Sequence, residues 1–97
     1  MNLTFSSDAE EDVQEIADYT FEAWGDDQEE IYLSSLYRRL NEISRDPGRW
    51  KKRDDLFEGC QTAFAGRHVI FFSIQDGEVF VSRILHQSMD VHRQILP

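Results

Sequence analysis

Two runs rich in β-branched and aromatic residues, Arg67–Ile74 and Glu78–Leu85, flank the tetrad Gln75-Asp76-Gly77-Glu78. An Asp-Gly pair between such runs predicts a hairpin with a tight turn, because both central residues must accept positive φ. Along the first run Val69, Phe71 and Ser73 fall on one face, and Ile70, Phe72 and Ile74 on the other. Both faces are largely apolar, as expected of a central strand. In the second run Val79, Val81 and Arg83 oppose Phe80, Ser82 and Ile84. Arg83 interrupts an otherwise apolar set, and His86 follows where the strand should end. This hairpin is the scaffold against which the upstream chain must pack.

Upstream, Leu3-Thr4-Phe5 reads as a short strand able to pair with the hairpin. Ser7 and Glu10 make an S-x-x-E capping box that predicts a helix start. Asp8, Glu10, Glu11 and Asp12 crowd the first turn, each worth ~0.3–1 kcal/mol against the macrodipole when exposed. Ala9, Val13, Ile16, Ala17, Thr20 and Trp24 recur at helical spacing as one face, and Gly25 suits a left-handed stop. Asp26 with Glu29 repeats the cap. A second stripe follows, Leu33, Leu36, Leu40 and Ile43, widened by Tyr32 and Tyr37, until Pro47-Gly48 ends it. Two amphipathic helices so closely joined form an antiparallel hairpin. Arg49–Arg53 and the following Asp54-Asp55 read as a long loop, Cys60–Ala65 as a third strand of the meander, and Met89–Leu96 as a short terminal helix or a frayed end. The predicted architecture is α+β: an N-terminal strand and an antiparallel helical hairpin packed on one face of an antiparallel β-sheet.

At 97 residues the expectation is one domain, residues 1–97, whose seven Phe, three Tyr and two Trp can fill a single core. The apolar runs are strand-length, so no membrane span is expected, and the N-terminus lacks the basic and apolar regions of a secretory signal. A lone cysteine, Cys60, excludes an internal disulfide and suits a reducing compartment. The expected location is the cytoplasm. Net charge is −9, unevenly placed: residues 1–30 hold 11 acidic and no basic side chains, the remainder 10 basic and 8 acidic. The first third either repels nucleic acid or is simply the solvated face of a helix.

Candidate chemistry is sparse. His68, His86, His92 and Asp90 have no recognised metal-ligand spacing, so no metal is expected. Nothing near Cys60 lowers its pKa, and a lone cysteine in an apolar strand is ordinarily a small core residue. There is no G-x-S-x-G setting and no glycine-rich phosphate loop. Arg67, His68, Arg83 and His86 lie where neighbouring strands can bring them together. RNA cleavage would need from them a base for the 2′-hydroxyl, an acid for the leaving oxygen and a cation for the phosphorane. Arg49, Trp50, Lys51, Lys52 and Arg53 form a dense basic cluster that fits either a nucleic-acid patch or a solvated loop offsetting the acidic helix.

The run Gly66–Phe72, then Asp76–Val91 with its segment Arg83-Ile84-Leu85-His86-Gln87-Ser88-Met89-Asp90-Val91, closely resembles the C-terminal half of ParE toxins from type II toxin–antitoxin modules, within the RelE/ParE superfamily. Ala17-Asp18-Tyr19-Thr20, Trp24-Gly25 and Arg53-Asp54-Asp55-Leu56 extend the resemblance over nearly the whole chain. It implies an N-terminal strand, two helices and a three-stranded meander. It also implies a non-catalytic inhibitor of DNA gyrase that uses no cofactor. No direct nucleic-acid or membrane binding is then expected. A cognate antitoxin would neutralise the toxin in a hetero-oligomer, its disordered C-terminal segment folding over the helical hairpin and sheet. On this basis Arg83, His86, Met89, Asp90 and Arg93 are expected to contact the target. Tyr19, Phe21, Tyr32 and Tyr37, partly off the core stripes, are the aromatic anchors expected to meet the antitoxin, or else they widen the core. His86 and Asp90 have a structural alternative, pinning the chain as it leaves the last strand. Two other functions stand beside the toxin: a RelE-type mRNA endoribonuclease using Arg67, His68, Arg83 and His86, and a non-toxic homologue acting as a binding module.

Overall fold

The predicted hairpin forms the centre of a five-stranded sheet. The computed structural model describes residues 1–95, in the order β1 (Leu3–Phe5), α1 (Ser7–Trp24), α2 (Asp26–Arg45), a 3-10 turn (Pro47–Arg49), β2 (Lys51–Lys52), β3 (Gln61–Ala65), β4 (His68–Gln75), β5 (Glu78–His86) and α3 (Val91–Ile95). The strands lie in the order β1-β5-β4-β3-β2, so β4 and β5 are interior. Asp76 and Gly77 both take positive φ, 51° and 75°. Every neighbouring pair is antiparallel except β1 with β5, which run parallel. The predicted terminal helix is α3, and Leu96 lies outside the described residues.

The two apolar faces of β4 serve two cores. Ile70 and Phe72 join Val79, Val81 and Ile84 under Ala9 and Ile16 of α1 and Leu36, Leu40 and Ile43 of α2. Phe71 and Leu85 face the other way, onto Leu56 and Cys60, with Phe57, Val69, Val91 and Ile95 packed around them. The two helices run antiparallel: the Met1 ammonium donates to Ser44 O at 2.9 Å and the Ser44 hydroxyl donates to Met1 O, setting the start of the chain beside the end of α2.

The structure corrects the sequence reading at several points. In β5 the pairing jumps from Phe71↔Arg83 to Phe72↔Val81, leaving Ser82 as a bulge. One extra residue shifts the alternation by one. Ile84 therefore returns to the helix-covered face with Val79 and Val81, and Arg83 is separated from them. The α1 cap is Ser6, not Ser7: its Oγ accepts from Ala9 N–H at 2.9 Å and donates to Ser82 O at 2.7 Å, tying the helix start to the bulge. No side chain caps α2, whose N-cap is Gly25 at φ 89°. The stretch read as a loop from Arg49 contains the short strand β2, paired to β3 through Lys51↔Thr62 and Lys52↔Gln61. Trp24 and Tyr37, placed on core stripes by spacing, are exposed.

Candidate functional site

Beyond Phe5, β1 no longer covers β5, and Asp12 of α1 takes its place. Its Oδ2 accepts from Ile84 N–H at 2.9 Å and from Arg83 Nε at 2.8 Å, while Oδ1 accepts from Arg83 Nη2 at 2.9 Å. Arg83 Nη1 donates to Gln94 O at 3.1 Å, so the same guanidinium holds α3. A two-pronged, charge-assisted arrangement of this kind is among the stronger polar contacts. The Asp12 hydrogen bonds raise the Arg83 pKa further above its ordinary value. Asp12 is thus buried and satisfied, and Arg83 is a fastening between β5, α1 and α3 rather than a free cation.

Next to it, Tyr32 reaches across from α2 to the β3–β4 turn. Its hydroxyl accepts from Arg67 N–H at 3.0 Å and lies 2.6 Å from His68 Nδ1. Gly66, at φ +59°, permits this approach, since a Cβ there would stand 2.8 Å from the Tyr32 ring. Burial, and then the neighbouring His86, lower the His68 pKa. The Tyr32 hydroxyl has one proton and two acceptors within reach, Ala65 O at 3.2 Å and His68 Nδ1 at 2.6 Å, and the depressed pKa favours a neutral His68 in either arrangement. The His68 and His86 rings stand edge to face at 5.3 Å, and Tyr32 and His68 at 5.5 Å. His86 Nδ1 accepts from Ser88 N–H at 3.1 Å, which turns the chain out of β5.

These groups floor a groove of about 1000 Å³ between α1, the first half of α2 and the ends of β4 and β5. Its walls carry large apolar side chains left in water: Tyr19 at 70% exposure, Trp24 at 70%, Ile31 at 61% and Met89 at 47%. Exposed apolar side chains gathered into one concave site mark an interaction surface rather than ordinary surface scatter.

The groove sorts the predicted residues. Tyr19 and Tyr32 of the four aromatic anchors line it, whereas Phe21 and Tyr37 are exposed elsewhere. His86 and Met89 of the target-contact set line it. Asp90 instead caps α3, its Oδ1 accepting from His92 N–H at 3.1 Å, and Arg93 is exposed on that helix. Arg67, His68 and His86 do come together, but Arg83 is held away by Asp12. Trp24, Gln28 and Ile31 were missed. Ile31, a large aliphatic side chain off the α2 stripe, was the available signal. Among the described residues no three His, Cys, Asp or Glu side chains gather to hold a metal ion. Cys60 lies in the second core, where burial pushes its thiol up to about 11, which leaves it without thiolate at neutral pH. No helix among the described residues is long and apolar enough to cross a membrane.

A family model described as the ParE toxin of type II toxin–antitoxin system, parDE, matches residues 3–91. The chain belongs to the ParE toxin family. The matched span holds all five strands, the helical hairpin and every residue that lines the groove. Among curated relatives, this ParE-family chain is 34% identical to Toxin ParE1 of Mycobacterium tuberculosis over 88 residues, 90% of each chain. It is 30% identical to Toxin ParE of Escherichia coli, over 89% of this chain and 84% of that one. A solved chain from the chromosomal ParDE system of P. aeruginosa superposes with a TM-score of 0.77 over 89% of this chain and 95% of its own, at 16% identity, a likeness of fold.

Proposed function

We propose that this chain is the toxin of a type II pair, inhibits DNA gyrase by protein–protein contact, and is neutralised by a cognate antitoxin seated on the groove. It works as one domain in the cytoplasm, without a cofactor. The observation that supports this reading is the groove itself, whose Tyr19, Trp24, Ile31 and Met89 stand exposed where a partner can bury them. Met89 and His86 at its sheet end, with Arg93 on α3, are the target contacts most open to gyrase. Arg83 and Asp90 act behind them, by holding α3 in place.

The grouping of Arg67, His68 and His86 beside the Tyr32 hydroxyl supports a second reading, RNA cleavage. Against it, the one cation near a phosphorane would have to be Arg67, and His68 is already bonded to Tyr32. Supercoiling by purified gyrase, with total RNA incubated alongside, separates the two. The toxin reading expects loss of supercoiling or trapped cleavage complexes with RNA intact. RNA cleavage with gyrase unaffected would overturn it, and His68→Ala or His86→Ala should then lower cleavage by about 10²–10⁴-fold.

A further inference from the structure

A second, smaller cleft lies on the sheet face turned away from the helices. Two cross-strand pairs on that face are Thr62↔Phe71 and Phe64↔Val69, and Val69 is itself paired with Leu85 of β5. At the Leu85 end the row is covered, since Val91 and Ile95 of α3 pack on the cluster that holds Leu85 and Phe71. At the Phe64 end it is open. Strand β2 pairs with β3 only through Gln61 and Thr62, so among the described residues no strand lies on the outer side of Phe64. Its side chain is 58% exposed. The cleft that results measures about 190 Å³, and Lys51, Arg53, Phe64, Val69 and Met89 are among its lining residues. No carboxylate lines it, in a chain whose net charge is −9.

Volume and charge together narrow what can enter. Small-molecule sites run to about 300–1,000 Å³, so this cleft suits a single side chain rather than a cofactor. Of its two full cations, Arg53 is bonded to Asp55 through two nitrogens, whereas Lys51 is in no ion pair among the described residues. A nucleic-acid track needs a row of free cations to follow successive phosphates, and one lysine does not make a row. One free cation beside an uncovered aromatic ring instead matches a carboxylate set next to an apolar anchor. We infer that this cleft takes one large apolar side chain from a segment of the target protein, stacked on Phe64, with an adjacent Asp or Glu meeting Lys51. The inference rests on the reading of this chain as a gyrase inhibitor and adds where the anchoring contact lies and the chemistry of the segment that makes it. His86 and Met89, which line the groove as well, form the wall between the two clefts.

The test measures, for the full chain, the concentration that half-inhibits supercoiling by purified gyrase and the affinity for the cognate antitoxin. It compares the wild type with Phe64→Ala, with Lys51→Glu and with a control, Ile74→Ala, which truncates an apolar side chain 42% exposed at the far end of β4. All three altered side chains are exposed, so each variant retains the wild-type unfolding midpoint within a few degrees. The expected result is a half-inhibiting concentration raised about tenfold or more by Phe64→Ala, raised by a smaller factor by Lys51→Glu, and unchanged by Ile74→Ala. Antitoxin affinity stays at the wild-type value throughout. Wild-type inhibition by Phe64→Ala or by Lys51→Glu, an equal loss from Ile74→Ala, or an equal fall in antitoxin affinity would overturn the inference and leave the gyrase reading standing. Binding of a labelled DNA or RNA oligonucleotide that Phe64→Ala abolishes would also overturn it, by assigning the cleft to nucleic acid. A wild-type chain that leaves supercoiling intact would remove the gyrase reading and the inference with it.

Discussion

The groove is largely apolar and the basic cluster at the opposite sheet edge is densely charged, and it is the groove whose side chains are left without partners. At the edge, Arg39 donates to Phe64 O at 2.7 Å and to Glu42 at 3.0 Å, and Arg49 pairs with Asp46 at 3.4 Å. Trp50 is covered by both guanidiniums, at 5.4 and 4.2 Å, and donates to Asp46 O at 2.9 Å. Arg53 grips Asp55 through two nitrogens, at 3.0 and 2.9 Å. Lys51 and Lys52 stay in water and blunt a short edge strand. The basic cluster is a surface that has satisfied itself. The groove instead leaves Tyr19, Trp24, Ile31 and Met89 uncovered. Charge density is the poorer guide to where a partner sits, and unsatisfied apolar area is the better one.

The largest effect is expected beneath the groove, not in it. Asp12→Ala leaves Arg83 unpaired and Ile84 N–H without its acceptor, which should cost about 3 kcal/mol in urea unfolding. A loss under about 1 kcal/mol would mean that Asp12 belongs to the contact surface rather than to the frame. Trp24→Ala should do the reverse. Stability should change by less than ~0.5 kcal/mol, while antitoxin affinity falls by about 2 kcal/mol, roughly 30-fold. Calorimetric titration alongside thermal unfolding reads both.

These two residues also mark the limits of the sequence. Trp24 continues the helical spacing of Ile16 and Thr20, but at the end of α1 it has no sheet beneath it, and periodicity cannot see where a partner element stops. Asp12 and Arg83 are 71 residues apart, one among many acids and the other in a strand, so nothing local announces their pairing. The Asp76-Gly77 turn was legible because its backbone demand is local. The bulge at Ser82 carries no such mark. It also decided the helix cap, since Ser6 and Ser7 are locally equivalent and only Ser6 reaches Ser82 O. Strand β2 escaped notice because two lysines have little strand preference of their own and pair only because β3 offers an edge. Of the site, Tyr19 and Tyr32 were readable as residues off the stripes, His86 as one at a strand end and Met89 through the family resemblance, but their convergence was set by the fold.

A smaller effect sharpens the contrast through pH. Because the folded-state pKa of His68 is depressed below its ordinary 6.5, the unfolded chain binds more protons in that range and stability rises with pH. The contribution is fully present above about pH 6.5 and is lost as pH falls through the lower folded value. Urea midpoints followed from pH 7.5 to 5 should drop, and His68→Gln should flatten the profile. The floor of the groove would then be pH-sensitive while the basic edge is not. The smallest effect belongs to that edge: Lys51→Ala with Lys52→Ala should shift unfolding by no more than ~0.5 kcal/mol and leave antitoxin affinity unchanged.

The most direct test of the central claim is amide hydrogen exchange of this chain alone and saturated with its antitoxin. The account predicts added protection over residues 15–35, 66–68 and 84–89, with 49–53 exchanging as in the free chain. Protection concentrated at 49–65 and absent from the α1–α2 turn would place the partner on the basic edge and contradict it.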